Sequence, residues 1–308
     1  LSGWMATDVC ATYLESGGCA RVQFLVRTRA TDLSGPHLLS LLHPFLHSDT
    51  RPGDNADTVC RAAAAEAAKN SGGGMPPKER AVLRSVGENL ARLHSIPCPK
   101  PGHIRHCMHS AGCCLIGRQD EAQKEMRESV HTASLEFTKF HESMLPKLKE
   151  AMATPTLPCG VLHGDPFLDN MLADCKTGEL TGMIDWEDVA VGPFLFDVAC
   201  CIIGCCFGPD NSMDSGRLSS FLHGYLATRR LTAKELELLP LFCRLALLCN
   251  ASWRFRNFNI SHREVEQARE SYRELYDRIL DDSAWSVVES VAEDALKSVG
   301  GPAPEIPS

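Results

Sequence analysis

Three oxygen-bearing side chains are spaced as if for work on one reacting group. Residues 161–170 read VLHGDPFLDN, so Asp165 and Asn170 stand five apart; Asp185 follows fifteen residues later in GMIDWE. Between them lie two short apolar segments, Met171–Ala173 and Leu180–Ile184, joined through Lys176-Thr177-Gly178. That pattern predicts a β-hairpin. A hairpin brings the chain back to its starting end, so Asn170 and Asp185 become neighbours. Two oxygen donors at one end of a hairpin suit Mg²⁺, a hard cation. Asp165, just ahead of them, is placed to take the proton of a hydroxyl and aim its oxygen at the γ-phosphorus of ATP. Phosphoryl transfer depends mostly on positioning and charge neutralisation, so one base and two metal ligands make a sufficient core. Each residue alone has an ordinary structural reading: an aspartate after glycine is a turn residue and an asparagine before a hairpin is a cap. The three together, at this spacing, point to chemistry.

The H-x-D-x4-N spacing is that of the protein-kinase catalytic loop. HGDPFLDN with IDWE resembles the aminoglycoside phosphotransferase and choline kinase superfamily. The resemblance implies an α+β, protein-kinase-like, two-lobed fold. It also implies Asp165 as catalytic base, Asn170 and Asp185 as Mg²⁺ ligands, and ATP as co-substrate. His163 and Asp197, the latter in GPFLFDVA, would hold the catalytic loop; a charge in an apolar helix must in any case find partners. Within the superfamily the loop, GPFLFDVA, SVGENLARLHSIP (85–97) and LPLFCRLALLCNASWRFRNFN (239–259) are similar to type II homoserine kinases. That likeness covers roughly 78–281 and implies L-homoserine, an amino alcohol, as acceptor. Arg244, Arg254 and Arg256, on or near one late helix, could grip its carboxylate with paired hydrogen bonds. Asp169 or Glu187, beside the loop, could hold its ammonium. An aminoglycoside would want many carboxylates, whereas 217–281 mixes both signs. A choline cage would want aromatics, and Trp186, Trp253 and Tyr225 leave that open.

The supporting elements divide the chain into three. Residues 1–77 read as a short, divergent N-lobe and linker, 78–298 as a large, mainly helical C-lobe, and 299–308 as a disordered tail. In the first part Ala20–Arg27 reads as a strand, Pro36–His47 as a short helix, and Thr50–Pro77 as linker with one helical stretch. Residues 1–68 contain no lysine and no recognisable Gly-rich loop. The resemblance implies a lysine for the nucleotide phosphates in this part, and with Ala20–Arg27 as the equivalent strand Arg27 (or Arg29) is the cationic substitute nearby. In the C-lobe a helix is expected from Lys78 to His94 and a long one from about Asp120 to Ala151, bent by Pro146. After the β-rich stretch 160–185, helices are expected near 194–207, 215–230, 232–250, 263–281 and 284–298.

Composition bounds the partners. The chain of 308 residues carries a net charge of −8 and no long basic run, which argues against nucleic acid. Its most apolar run, 189–208, is broken by Asp197 and Gly192-Pro193, so no membrane span is expected. No signal peptide is evident; a cytoplasmic enzyme is expected, or an organellar one if a targeting segment precedes Leu1. The fifteen cysteines read as reduced thiols. Cys200, Cys201, Cys205 and Cys206, and likewise Cys113 and Cys114, read as small apolar fillers rather than a zinc site. Two readings of different class stay open: an active small-molecule kinase, and a kinase-like protein that binds without turnover.

Overall fold

The computed structural model describes residues 8–16, 19–27, 54–69, 75–96, 111–128, 135–208 and 210–303, with backbone alone for 8–16 and 19–27. Strands β1 (Asp8–Ser16) and β2 (Cys19–Arg27) pair antiparallel, Asp8 opposite Arg27. The strand expected at Ala20–Arg27 is therefore present. The helix expected at Pro36–His47 and the side chain of Arg27 lie outside the described residues. So do the tail from 304 and the side chains of Cys113 and Cys114.

Residues 50–77 do more than link. A two-residue strand, β3 (Asp54–Asn55), leads into helix α1 (Ala56–Lys69), which buries Ala56, Val59, Cys60 and Ala63. Helix α2 (Pro77–Leu93) starts on proline at its first turn, where the missing N–H costs nothing. Val82, Leu83, Val86, Leu90 and Leu93 recur at helical spacing and are fully buried.

The single helix expected from Asp120 to Ala151 is instead a helical hairpin. Helix α3 (Ala111–Glu128) and helix α4 (Leu135–Met152) run antiparallel, with Asp120 paired to Lys149 and Arg127 to Glu142. The apolar periodicity runs on in sequence from one helix to the other and hides the reversal; residues 129–134 lie outside the described residues. Between the two helices sits buried His141, 2.6 Å from Gln123 Oε1 and 2.8 Å from Gln119 Oε1; Ser252 Oγ also donates to Gln119 Oε1.

The β-rich stretch makes two small antiparallel pairs. β4 (Cys159–Leu162) pairs with β7 (Ala190–Pro193), and β5 (Met171–Ala173) pairs with β6 (Leu180–Met183), with β3 on the free side of β5. Five helices follow: α5 (Phe194–Cys205), α6 (Ser215–Thr228), α7 (Ala233–Arg256), α8 (Ser271–Leu280) and α9 (Asp282–Ser298). The helix expected at 232–250 runs on to Arg256 and a π-turn, and the one expected at 263–281 is shortened to start at Ser271. Helix α6 begins on Asp214, whose carboxylate accepts from Gly216 N and Arg217 N; α7 begins on a Thr232–Glu235 capping box.

The Ala233–Ser261 helix is the one described segment long and apolar enough to cross a membrane. Here its apolar side chains pack on α5, α8 and α9, with Leu239, Phe242, Leu245, Leu247 and Leu248 fully buried. Cys200, Cys201, Cys205 and Cys206 are buried in the same core. Burial pushes the thiols of Cys200, Cys201 and Cys206 well up, which fits the filler reading.

Candidate active site

The catalytic-loop segment leaves β4 at Leu162 and is gripped from below by α5. Asp197, fully buried, accepts from His163 N at 2.7 Å and from Gly164 N at 3.0 Å. The oxygen that accepts from His163 N also lies 3.3 Å from His94 Nε2. A buried carboxylate is tolerable when several N–H groups converge on it. Here two are main-chain groups of the loop itself, so the carboxylate fixes where His163–Asp165 runs.

The grip extends further than the sequence suggested. His94, the last residue of LARLH, is buried, and burial lowers its pKa in spite of the neighbouring Asp197. The neutral ring donates from Nε2 to Asp197, so Nδ1 accepts the Tyr225 hydroxyl at 2.8 Å. Arg229 Nη1 donates to the Tyr225 oxygen at 3.1 Å, and Arg229 Nη2 to Glu235 at 2.8 Å. A hydrogen-bonded chain thus runs from Glu235 at the cap of α7 through Arg229, Tyr225 and His94 to the Asp197 carboxylate that holds the catalytic loop. Helices α2 and α6 must approach closely to form it. A Cβ at Gly87 would lie 2.2 Å from Phe221 O, and one at Gly224 would lie 2.0 Å from Arg84 O.

His163 sets the loop from within. Burial lowers its pKa too. The neutral ring donates from Nε2 to Ile184 O at 2.9 Å and accepts Asp165 N at Nδ1, 3.3 Å away. Trp186 packs on the ring, 4.5 Å between centroids. Gly164 has φ 88°, and a Cβ there would lie 2.2 Å from Asp188 O, so both its conformation and its neighbour demand glycine.

The expected hairpin is present. Ile184 N donates to Asn170 O at 2.9 Å, which closes the two ends on each other. The Asp174 carboxylate caps the turn through Lys176 N and Thr177 N. Asn170 turns its amide to Asp165, with Nδ2 2.9 Å from Asp165 O and 2.8 Å from Asp165 Oδ2. This leaves Asn170 Oδ1 and the second Asp165 oxygen available. Asp185, at the other end, holds φ 62°, ψ 62°, a left-handed conformation costly for a residue other than glycine and concentrated at functional sites. Its side chain is exposed.

These residues fit Mg²⁺. The donors are hard oxygens, the amide nitrogen is already occupied, and three carboxylates, Asp188, Asp169 and Asp185, lie near enough to Asp165 to raise its pKa. No closed cluster of three or more His, Cys, Asp or Glu ligands forms among the described residues. An ion held by Asn170 and Asp185 would keep positions for water and phosphate oxygens, as Mg²⁺ does at phosphoryl-transfer sites. Burial first, then the charge of Asp188, pushes the Asp165 carboxyl up to about 6, against the Asn170 hydrogen bond that pulls it down.

The other candidates scatter. Asp169 stays in the loop, where Asn55 Nδ2 donates to its main-chain oxygen at 2.7 Å; the α1 segment is thereby tied to the site. Glu187 lies in the 186–188 turn, its side chain outside the described residues. The three arginines are not brought to the loop. Arg244 pairs with Asp282, Arg254 with Ser271 O and Glu274, and Arg256 with Glu125 through two bonds of 2.8 and 2.9 Å. Each clamps α7 to another helix. The aromatics do not form a cage: Trp186 lies under His163, Tyr225 bonds His94, and exposed Trp253 meets Phe258. Sequence reasoning passed over Asp188 and His94. The first is one residue beyond IDWE and the second closes LARLH, so both lay beside motifs already noticed.

Residues 58–236 match the sequence profile of the phosphotransferase enzyme family, and the chain belongs to it. Among curated proteins it is 30% identical over 180 residues to a homoserine kinase of Beijerinckia indica, covering 56% of this chain and 54% of that one. It is 32% identical over 169 residues to a homoserine kinase of Rhodopseudomonas palustris, covering 54% and 49%. The chain spans about half the length of the curated relatives it matches. A Plasmodium vivax ethanolamine kinase superposes with a TM-score of 0.52 at 14% identity, over 68% of this chain and 61% of that one. A choline/ethanolamine kinase family protein of Mesorhizobium loti superposes with a TM-score of 0.51 at 14% identity, over 91% and 92%. The fold is the protein-kinase-like one.

Proposed function

We propose that the protein transfers the γ-phosphoryl group of ATP to the hydroxyl of a small amino alcohol, with L-homoserine as the first candidate. The observation that carries this reading is the fixed geometry of Asp165. Asp197 clamps the backbone on one side of it, and Asn170 holds one of its oxygens on the other. Asp165 would accept the hydroxyl proton as the acceptor oxygen bonds to the γ-phosphorus and the bond from phosphorus to the bridging oxygen breaks, releasing ADP. Asn170 and Asp185 would hold Mg²⁺, which neutralises phosphate charge. Arg27, at the end of β2, is the candidate for the nucleotide phosphates. The homoserine kinases at 30–32% identity support the choice of acceptor.

The test is ADP release with ATP and Mg²⁺ against L-homoserine, choline, ethanolamine and an aminoglycoside. Release with L-homoserine, lost in Asp165→Asn, is expected. Release with none of the four would leave a kinase-like binding protein instead.

A further inference from the structure

Asp188, whose charge acts on the candidate base, is paired with a guanidinium that the family motifs do not name. Strand β4 pairs with β7 with Leu162 opposite Ala190. The ladder continues far enough that Gly164 abuts Asp188, with the 2.2 Å virtual contact given above. Asp188 is thus set against the residue that precedes Asp165. Arg118, from α3, reaches it with Nη1 2.5 Å from Asp188 Oδ1. The side chains are 58% and 28% exposed, so solvent and a small solute can reach the pair. An ion pair this open adds little to stability. Among the described residues the guanidinium is paired through one of its nitrogens, and the rest of its fork can face a planar anion.

We infer that Arg118 and Asp188 are the acceptor-recognition pair, and that the acceptor is a zwitterionic amino alcohol: Arg118 takes its carboxylate and Asp188 its ammonium, with the hydroxyl toward Asp165. The inference rests on the kinase reading above and narrows it. Charge conservation favours it. The free pair is neutral overall, and a zwitterion exchanges one internal ion pair for two external ones with no charge left over. An amino alcohol lacking a carboxylate must take Asp188 and strand Arg118; a hydroxy acid lacking an amine must do the reverse. Arg244, Arg254 and Arg256 are already paired on other helices, so among the described residues Arg118 is the guanidinium paired to an acid of the loop region.

The test compares three acceptors that differ by one group: L-homoserine, 3-amino-1-propanol without the carboxylate, and 4-hydroxybutanoate without the amine. Wild-type kcat/KM is expected to favour L-homoserine over both. Arg118→Ala should raise the KM for L-homoserine by roughly 10–100-fold, the loss of a bidentate charge-assisted contact, and collapse the preference over 3-amino-1-propanol. Arg118→Lys should restore part of it. Asp188→Asn should collapse the preference over 4-hydroxybutanoate instead. Binding gives a second readout: L-homoserine should raise the Tm of the wild type and not of Arg118→Ala. An unchanged preference in Arg118→Ala, or an equal loss of kcat with all three acceptors, overturns the inference and leaves the kinase reading standing. No turnover with any acceptor overturns the kinase reading; a Tm shift by L-homoserine that needs Arg118 then still supports the recognition pair, and its absence removes both.

Discussion

Two groups of charged residues in this chain look equally fit for a site, and their surroundings differ in kind. At the centre of the 163–197 segment two carboxylates are held by uncharged donors: Asp197 by main-chain N–H groups, Asp165 by the Asn170 amide. Along α7, arginines are held by carboxylates: Arg244 by Asp282, Arg256 by Glu125. A charge oriented by neutral dipoles keeps its charge for a ligand. A charge matched by a counter-charge on a neighbouring helix has a structural partner; the Arg118–Asp188 pair differs in lying against the catalytic loop, where a zwitterion can exchange with it. The first arrangement is chemically open and the second is architectural, although residue types alone cannot separate them.

Asp165→Asn should break the comparison most sharply. Loss of the base is expected to lower kcat by about 10²–10⁴. The same substitution should stabilise the fold near neutral pH. The Asp165 carboxyl is raised to about 6 in the folded chain from an ordinary value of 3.8, so its charge opposes folding above pH 6. The gain should be about 1–2 kcal/mol at pH 7, allowing for partial exposure, and should vanish below about pH 4. Thermal melts of both proteins at pH 4 and pH 7.5 would show it; a destabilised variant at pH 7.5 would contradict this account of the site.

Asp197→Asn comes next. Replacing one acceptor oxygen by an N–H₂ turns donors against donors beneath the loop. It should cost about 2–4 kcal/mol and lower kcat at least tenfold. Tyr225→Phe, which removes only the hydroxyl that His94 Nδ1 accepts, should cost about 1 kcal/mol and reduce kcat less than Asp197→Asn. Chemical denaturation alongside steady-state kinetics ranks the two.

The pH profile sharpens the same contrast. Activity should fall as pH drops through the Asp165 titration, with the acid limb near 6 when Mg²⁺ is sparing. Saturating Mg²⁺ should move that limb lower, because a cation beside the carboxylate favours its charged form. A limb independent of Mg²⁺ would separate the metal from the base.

The smallest effect belongs to the architectural arginines. Arg256→Ala should cost about 1 kcal/mol through its partly exposed pair with Glu125 and leave the KM for the acceptor where it was. A KM rise there, and none in Arg118→Ala, would reverse the assignment of the two regions.

Much of the site was legible because it is local. Asp165, Asn170 and Asp185 lie within one loop and one hairpin, where period-two apolar segments and a Lys-Thr-Gly turn fix the geometry over short range. Asp197 was legible for a different reason: an isolated carboxylate in FDVACCII must be buried and must be bonded. The α3–α4 hairpin was not legible, because an apolar stripe survives a chain reversal when both helices bury it in one core. Residues 54–69 looked like alanine-rich linker, yet a few small side chains are enough to pack a helix closely on the hairpin.

The sequence by itself determined the phosphotransfer motif, the helical character of the chain beyond residue 77 and the burial of Cys200, Cys201, Cys205 and Cys206, since each follows from local spacing or from the cost of exposing apolar surface. Only the tertiary structure decided which charges are available. Whether an arginine meets Asp188 or Glu125 depends on which helices become neighbours, and that is set by summed packing of the whole core rather than by any residue near the arginine in sequence.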